Sequence, residues 1–204
     1  MLKAYVLEGK NLPVLNISQV GLSLETSAPL IIGQQYVLNL RSRDQNVLLD
    51  GMVVRCQLSE LAETVSGNQL PVYQNGFEFQ LERNPKELRL LNILQDNLYG
   101  EKRLGASRIK PMHRLFADVG RPCFSEIKKL EKTGMYVEGP ELLDMDEIWP
   151  ILLQNGEDGL ELECHIVLGS RKEGASNYEM LLEFLNLNEK ESLFLDCALE
   201  VFQV

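Results

Sequence analysis

Asn16, Ser18 and Gly21 lie within one short stretch, Asn16-Ile17-Ser18-Gln19-Val20-Gly21, between apolar residues that read as strand. Asn and Ser carry compact donors and acceptors suited to the polar edge of a heterocycle. Gly allows a bend and a close backbone approach that a side chain would forbid. Two readings stand side by side. The stretch is a turn whose Asn and Ser satisfy the backbone locally, or it is half of a ligand site. Arg55, Arg103 and Arg108 are the cations that could complete such a site. A guanidinium pairs with small anions. The alternative for Arg55 is an ion pair with a neighbouring carboxylate, and for Arg103 and Arg108 a solvated linker.

Other chemistries find no support in the residue spacings. The histidines, His113 and His165, are isolated, and neither is placed by motif beside a Ser or Cys nucleophile. Cys56, Cys123, Cys164 and Cys197 form no C-x-x-C pair or zinc pattern. They read as buried small hydrophobes in a reducing compartment. Gly100-Glu101-Lys102-Arg103-Leu104-Gly105 lacks the Gly-Lys-Ser/Thr ending of a phosphate loop. No enzyme, metal or cofactor is expected. Apolar content of 45% and charged content of 25% are those of a globular chain. The formal charge of −10 repels polynucleotide phosphates, so neither DNA nor RNA is an expected partner. The N-terminal residues do not read as a signal peptide, and no apolar run approaches the ~18 residues of a membrane span. The expectation is a cytoplasmic protein without membrane insertion.

The elements that must position these residues come from a repeat. The segment from Gly21 to Val54 aligns without a gap on the segment from Gly134 to Val167. Gly21/Gly134, Glu25/Glu138, Leu30/Leu143, Leu40/Leu153, Leu49/Leu162 and Val54/Val167 are identical. Each copy shows short apolar runs broken by Gly, Asn and Asp clusters, the pattern of antiparallel strands. Each then closes with a strand, an Asn and a helix: Asn84 followed by Glu87, and Asn188 followed by Glu191, both close to a capping box. Leu88, Leu91, Leu94 and Leu98 keep helical spacing, as do Leu195, Leu199 and Phe202. The expected fold is mainly β: two tandem six-stranded antiparallel barrels, each followed by a C-terminal α-helix. The expected boundaries are residues 1–98 for the first barrel, 99–111 for a linker and 112–204 for the second.

On these residues the first copy resembles a PilZ domain. The family signature Asp/Asn-x-Ser-x-x-Gly is matched by Asn16 to Gly21. Its later Val-Val-Arg is matched by Val53-Val54-Arg55, its Gly-x-x-Phe by Gly76-Phe77-Glu78-Phe79, and a helix comes next. The resemblance implies a split barrel that binds cyclic di-GMP, with Asn16, Ser18 and Gly21 at the guanine edge. It also implies an Arg-x-x-x-Arg upstream of Asn16, where this chain has only Lys3 and Lys10. The second copy has Lys129-Leu130-Glu131-Lys132-Thr133-Gly134 in place of the hexad, but Lys102, Arg103, Arg108, Lys110 and Arg114 precede it. The resemblance is compatible with two functions. One is a cyclic di-GMP receptor acting on a protein partner in motility, surface attachment or exopolysaccharide control, its site completed by Arg103 or Arg108. The other is a degenerate PilZ adaptor that works by protein–protein contact and needs no nucleotide.

Overall fold

The computed structural model describes residues 2–42, 45–63, 69–80, 90, 111, 115–156, 158–171 and 174–202. The expected helix after Asn84 except Leu90, the linker except Pro111, and Arg103, Arg108, Arg114 and His113 lie outside them.

The described chain is mainly β. In chain order its strands are β1 (Leu2–Ser18), β2 (Gly21–Thr26), β3 (Gln35–Ser42), β4 (Gln45–Glu63), β5 (Gln69–Phe79), β6 (Phe116–Arg121), β7 (Glu126–Glu131), β8 (Gly134–Gly139), β9 (Ile148–Asn155), β10 (Asp158–Ser170) and β11 (Tyr178–Leu185); helix α1 lies at Glu189–Phe202. The chain divides into two compact units, Glu8–Val119, and Met1–Leu7 with Gly120–Val204.

In the unit Glu8–Val119, the pairings β1–β2, β2–β5, β5–β4, β4–β3, β3–β6 and β6–β1 close a ring, a small barrel. Alternation explains why it closes around a core. Leu22 and Leu24 on β2, and Tyr36, Leu38 and Leu40 on β3, point inward with Ile17, Val53, Phe77, Ala117 and Val119. At the end of the β3–β4 ladder Ser42 lies opposite Gln45.

In the other unit the strand order is Leu2–Val6 of β1, then β9, β10, β11, β8 and β7. Among the described residues no pairing joins β7 back to β1. Ala4, Val6, Met135, Val137, Ile151, Leu153, Leu162, Ile166 and Leu182 form its core. Helix α1 starts where the sequence predicts. Asn188 N–H donates to Glu191 Oε2 at 2.8 Å, and Glu191 N–H donates to Asn188 Oδ1 at 3.0 Å, a reciprocal cap that satisfies two end groups. Leu195 and Ala198 are buried in the core, with Leu199 and Phe202 packed against it.

These units are not cut at the expected boundaries. Residues 2–7 fall in the unit that holds α1, because Leu2–Val6 pairs with β9 and buries Ala4 and Val6 there. Residues 116–119 fall in the other, where Ala117 and Val119 fill the core. A flanking strand joins whichever core accepts its apolar face, and a repeat read along the chain carries no signal of that choice.

Candidate polar site on the closed barrel

Ser18 and Gly21 bracket a two-residue connection, paired with each other at the ends of β1 and β2. Ser18 Oγ donates to Gly21 O at 3.2 Å and accepts from Val20 N–H at 3.3 Å. The Ser18 hydroxyl is thus occupied in holding the turn. Gly21 is required sterically: a Cβ there would stand 2.0 Å from the carbonyl oxygen of Phe77. The hydrogen bond from Phe79 N–H to Val20 O, 2.9 Å, draws the strands together at this point.

Asn16 is placed differently. The tight hairpin sets it opposite Ser23, Ser23 lies opposite Gly76 on β5, and Gly76 lies opposite Arg55 on β4. Laterally paired residues share a face of a sheet, so Asn16, Ser23, Gly76 and Arg55 form one row on the outer face. Asn16 Oδ1 and Ser23 Oγ are both buried without a hydrogen-bond partner among the described residues, and Ser23 is 1% exposed. Each such buried orphan costs about 1–3 kcal/mol relative to a satisfied group. A register shift at Val54, a β-bulge, sets Arg55 opposite Gly76; bulges re-aim side chains in this way. A Cβ at Gly76 would meet Arg55 Cβ at 3.5 Å, so the glycine leaves a shallow strip beside the arginine. Arg55 donates to Gln74 Oε1 at 3.2 Å. Two acids bound the row. Glu25 lies opposite Gln74, and Glu78 opposite Gly21; each is two residues from a row member and shares its face.

Three separated motif segments, the hexad, Val53-Val54-Arg55 and Gly76-Phe77-Glu78-Phe79, are therefore brought together at Asn16, Arg55 and Gly76. Ser18 and Gly21 serve the turn, and Arg103 and Arg108 lie outside the described residues. Ser23 was not foreseen, although a two-residue connection between Ser18 and Gly21 fixes the register that sets it opposite Asn16.

In the other unit the hairpin at Gly134 carries different chemistry. Glu131 pairs with Gly134, Thr133 O accepts from Phe184 N–H at 2.9 Å, and a Cβ at Gly134 would stand 2.3 Å from Leu182 O. The corresponding row is Lys129, Tyr136, Leu181 and Leu168, with a register shift at Val167. Lys129 pairs with Glu131, which raises the ammonium pKa, and its Nζ lies 6.0 Å from the Tyr136 ring centre. A lysine, a tyrosine and two leucines replace the polar row. Lys132, in the turn, bridges to Asp196 of α1 at 2.6 Å.

A second polar cluster of the closed barrel was not legible in the sequence. Asp118 on β6 is buried. Its Oδ1 accepts from Arg41 at 2.6 Å and from Asn11 N–H at 2.9 Å, and its Oδ2 accepts from Asn39 Nδ2 at 3.2 Å. Asn11 has φ 51°, a left-handed conformation that Asn tolerates better than most residues. This cluster ties β1, β3 and β6 together.

None of the four cysteines is in a disulfide, and only Cys123 and Cys164 are buried; Cys56 is half-buried and Cys197 exposed on α1. The expectation of four buried thiols fails at Cys197 because it lies on the solvent side of the stripe that buries Leu195 and Ala198. Among the described residues no three His, Cys, Asp or Glu side chains are grouped to hold a metal, and no helix is long and apolar enough to cross a membrane.

No family model matches the chain, and no curated protein matches it. Among solved structures it is similar to the Bacillus subtilis inhibitor of motility, MotI/DgrA, at 10% identity and a TM-score of 0.31, over 85% of this chain and 98% of that one. It is also similar to the Borreliella burgdorferi PlzA protein in complex with c-di-GMP, at 10% identity and a TM-score of 0.28, over 93% of this chain and 86% of that one. Scores of that size assign neither a fold nor a ligand; function has to be argued from the chain's own residues.

Proposed function

We propose that this is a non-enzymatic signalling protein of PilZ type, a cyclic di-GMP receptor that acts on a protein partner in the cytoplasm. In this reading the two units are PilZ-like copies, the second degenerate. The supporting observation is the row Asn16–Ser23–Gly76–Arg55, which gathers three motif segments on one face and leaves two buried oxygens without partners among the described residues. Orphan acceptors beside a guanidinium suit a ligand edge rich in N–H groups and ring acceptors, which guanine presents. Ser18 and Gly21 contribute by holding the turn that sets Asn16. Arg103 or Arg108 supplies the phosphate contact that the residues upstream of Asn16 lack.

Titration calorimetry with cyclic di-GMP tests this. A bidentate arginine–guanine contact is worth about 1–3 kcal/mol, so Arg55→Ala should weaken binding about tenfold to a hundredfold. Ser23→Ala and the pair Arg103→Ala, Arg108→Ala should each weaken it as well. Absence of binding by the wild-type chain at millimolar ligand sinks the receptor reading.

The second reading, a PilZ-type adaptor that needs no nucleotide, is favoured by one observation. Glu25 and Glu78 flank the row, and their charges oppose a ligand with two phosphates. Substituting both by Gln distinguishes the readings: a receptor gains affinity for cyclic di-GMP, and a nucleotide-free adaptor remains silent.

A further inference from the structure

The hairpin β4–β5 runs beyond the barrel that it helps to build. Pairing of β3 with β4 ends at Gln35 opposite Met52, and pairing of β2 with β5 ends at Thr26 opposite Tyr73. Past those points, among the described residues, the two strands pair only with each other, from Glu60 opposite Val72 to Glu63 opposite Gln69. Among the described residues the other unit shows no such extension: there the ladder stops at Ser170 opposite Glu179, just past the pair Leu168–Leu181 that corresponds to Arg55–Gly76. The barrel plan therefore does not require the ribbon. A two-stranded ribbon by itself is marginal in water, and this one exposes leucines. Leu58 is 57% exposed, Leu61 55% and Leu70 51%. Leu58 and Leu61 share one face of the ribbon, opposite Tyr73 and Pro71, and Leu70 lies on the other face; exposed apolar side chains on both faces make the ribbon a candidate interaction surface. Both outer edges also keep backbone N–H and C=O groups free for an added strand, among the described residues.

Charge selects the occupant. The described ribbon, residues 56–63 and 69–75, carries Glu60 and Glu63 and no Lys or Arg. A second copy would set these acids against their equals on a chain of formal charge −10, which like-charge repulsion disfavours. We infer that the β4–β5 ribbon is a docking arm for a different protein, one that presents lysine or arginine among apolar side chains. This does not depend on nucleotide binding.

The test uses the full chain and two labelled peptides, one alternating leucine with lysine and the other leucine with glutamate, read by fluorescence anisotropy. The leucine–lysine peptide should bind and the leucine–glutamate peptide should not. Leu58→Ser with Leu61→Ser keeps every charge and should weaken binding at least about tenfold, because the leucines lose apolar burial against the peptide. Glu60→Lys with Glu63→Lys should move the preference towards the glutamate peptide. Circular dichroism of both variants checks the fold; these positions are exposed, and native spectra are expected. Equal binding by the serine variant would reduce the effect to net charge and overturn the proposal. So would failure of the wild type to bind either peptide. A dimer in sedimentation that the serine variant dissolves would make a second copy the occupant and overturn it too.

Discussion

Gly21 and Phe77 approach so closely that a Cβ on Gly21 would stand 2.0 Å from the Phe77 carbonyl oxygen. The obstacle is backbone, so no side-chain rotation relieves it. Gly21→Ala must push β2 off β5, and the expected loss is about 3 kcal/mol, the upper end of the range for overpacking. Gly33 is the control. It has φ +83° and open space around it, so Gly33→Ala carries only the conformational penalty, about 1 kcal/mol. Urea denaturation should rank Gly21→Ala well below Gly33→Ala. Equal losses would mean that β2 and β5 do not meet as described.

Asp118 accepts hydrogen bonds from Arg41, Asn11 and Asn39 at once. Asp118→Ala removes the ion-pair partner of Arg41, which keeps its bond to Asn11 Oδ1 at 2.8 Å, and strands the Asn11 N–H. Breaking a buried ion pair from one side costs about 3–5 kcal/mol; Arg41 is 39% exposed and recovers some hydration, so a loss of about 2–3 kcal/mol is expected. Asp118→Asn keeps an acceptor and should cost less. A denaturation midpoint unchanged by Asp118→Ala would refute the structural role.

Asn188→Ala removes the acceptor for Glu191 N–H at the start of α1. The expected loss is about 1 kcal/mol. It should appear as a lower Tm, with Asn188→Asp close to wild type because a carboxylate caps as well and suits the positive end of the helix.

Burial pushes the Cys164 thiol up to about 12, with a smaller contribution from Glu163. The folded value lies above the unfolded one, so the contribution to stability is complete below the unfolded value of 9.0. It is lost as pH rises from there towards about 12, because only the unfolded chain ionises the thiol readily. The slope from this group approaches about 1.4 kcal/mol per pH unit. Stability followed from pH 8 upward should fall, and Cys164→Ala should flatten the fall. In the native protein a thiol reagent should label the exposed Cys197 and spare Cys164; rapid labelling of Cys164 would contradict its burial.

Ser23 and Arg55 show how much of the candidate site was legible. The hexad announced a turn and an Asn at its edge, and Ser18 and Gly21 form that turn. The same turn fixes Ser23 opposite Asn16, so that neighbour was available from local rules. The position of Arg55 beside the row was not, because it depends on a bulge at Val54 and on the pairing of β4 with β5. Arg41 and Asp118 meet across β3 and β6 with no motif to announce them.

Local chemistry in the sequence determined the alternating strands, the polar turns, the cap made by Asn188 and Glu191, and the shared register of the two copies from Gly21 and Gly134. Each of these depends on residues a few positions apart, whose conformations are set by sterics, alternation and short-range hydrogen bonds. Tertiary structure alone decided that Leu2–Val6 completes the unit containing α1 and that β6 closes the other ring. It also decided that Asn16, Ser23, Gly76 and Arg55 share one row. Those outcomes depend on which apolar face finds a core and which strand edges meet, and such pairings join residues whose separation along the chain leaves no periodic signal.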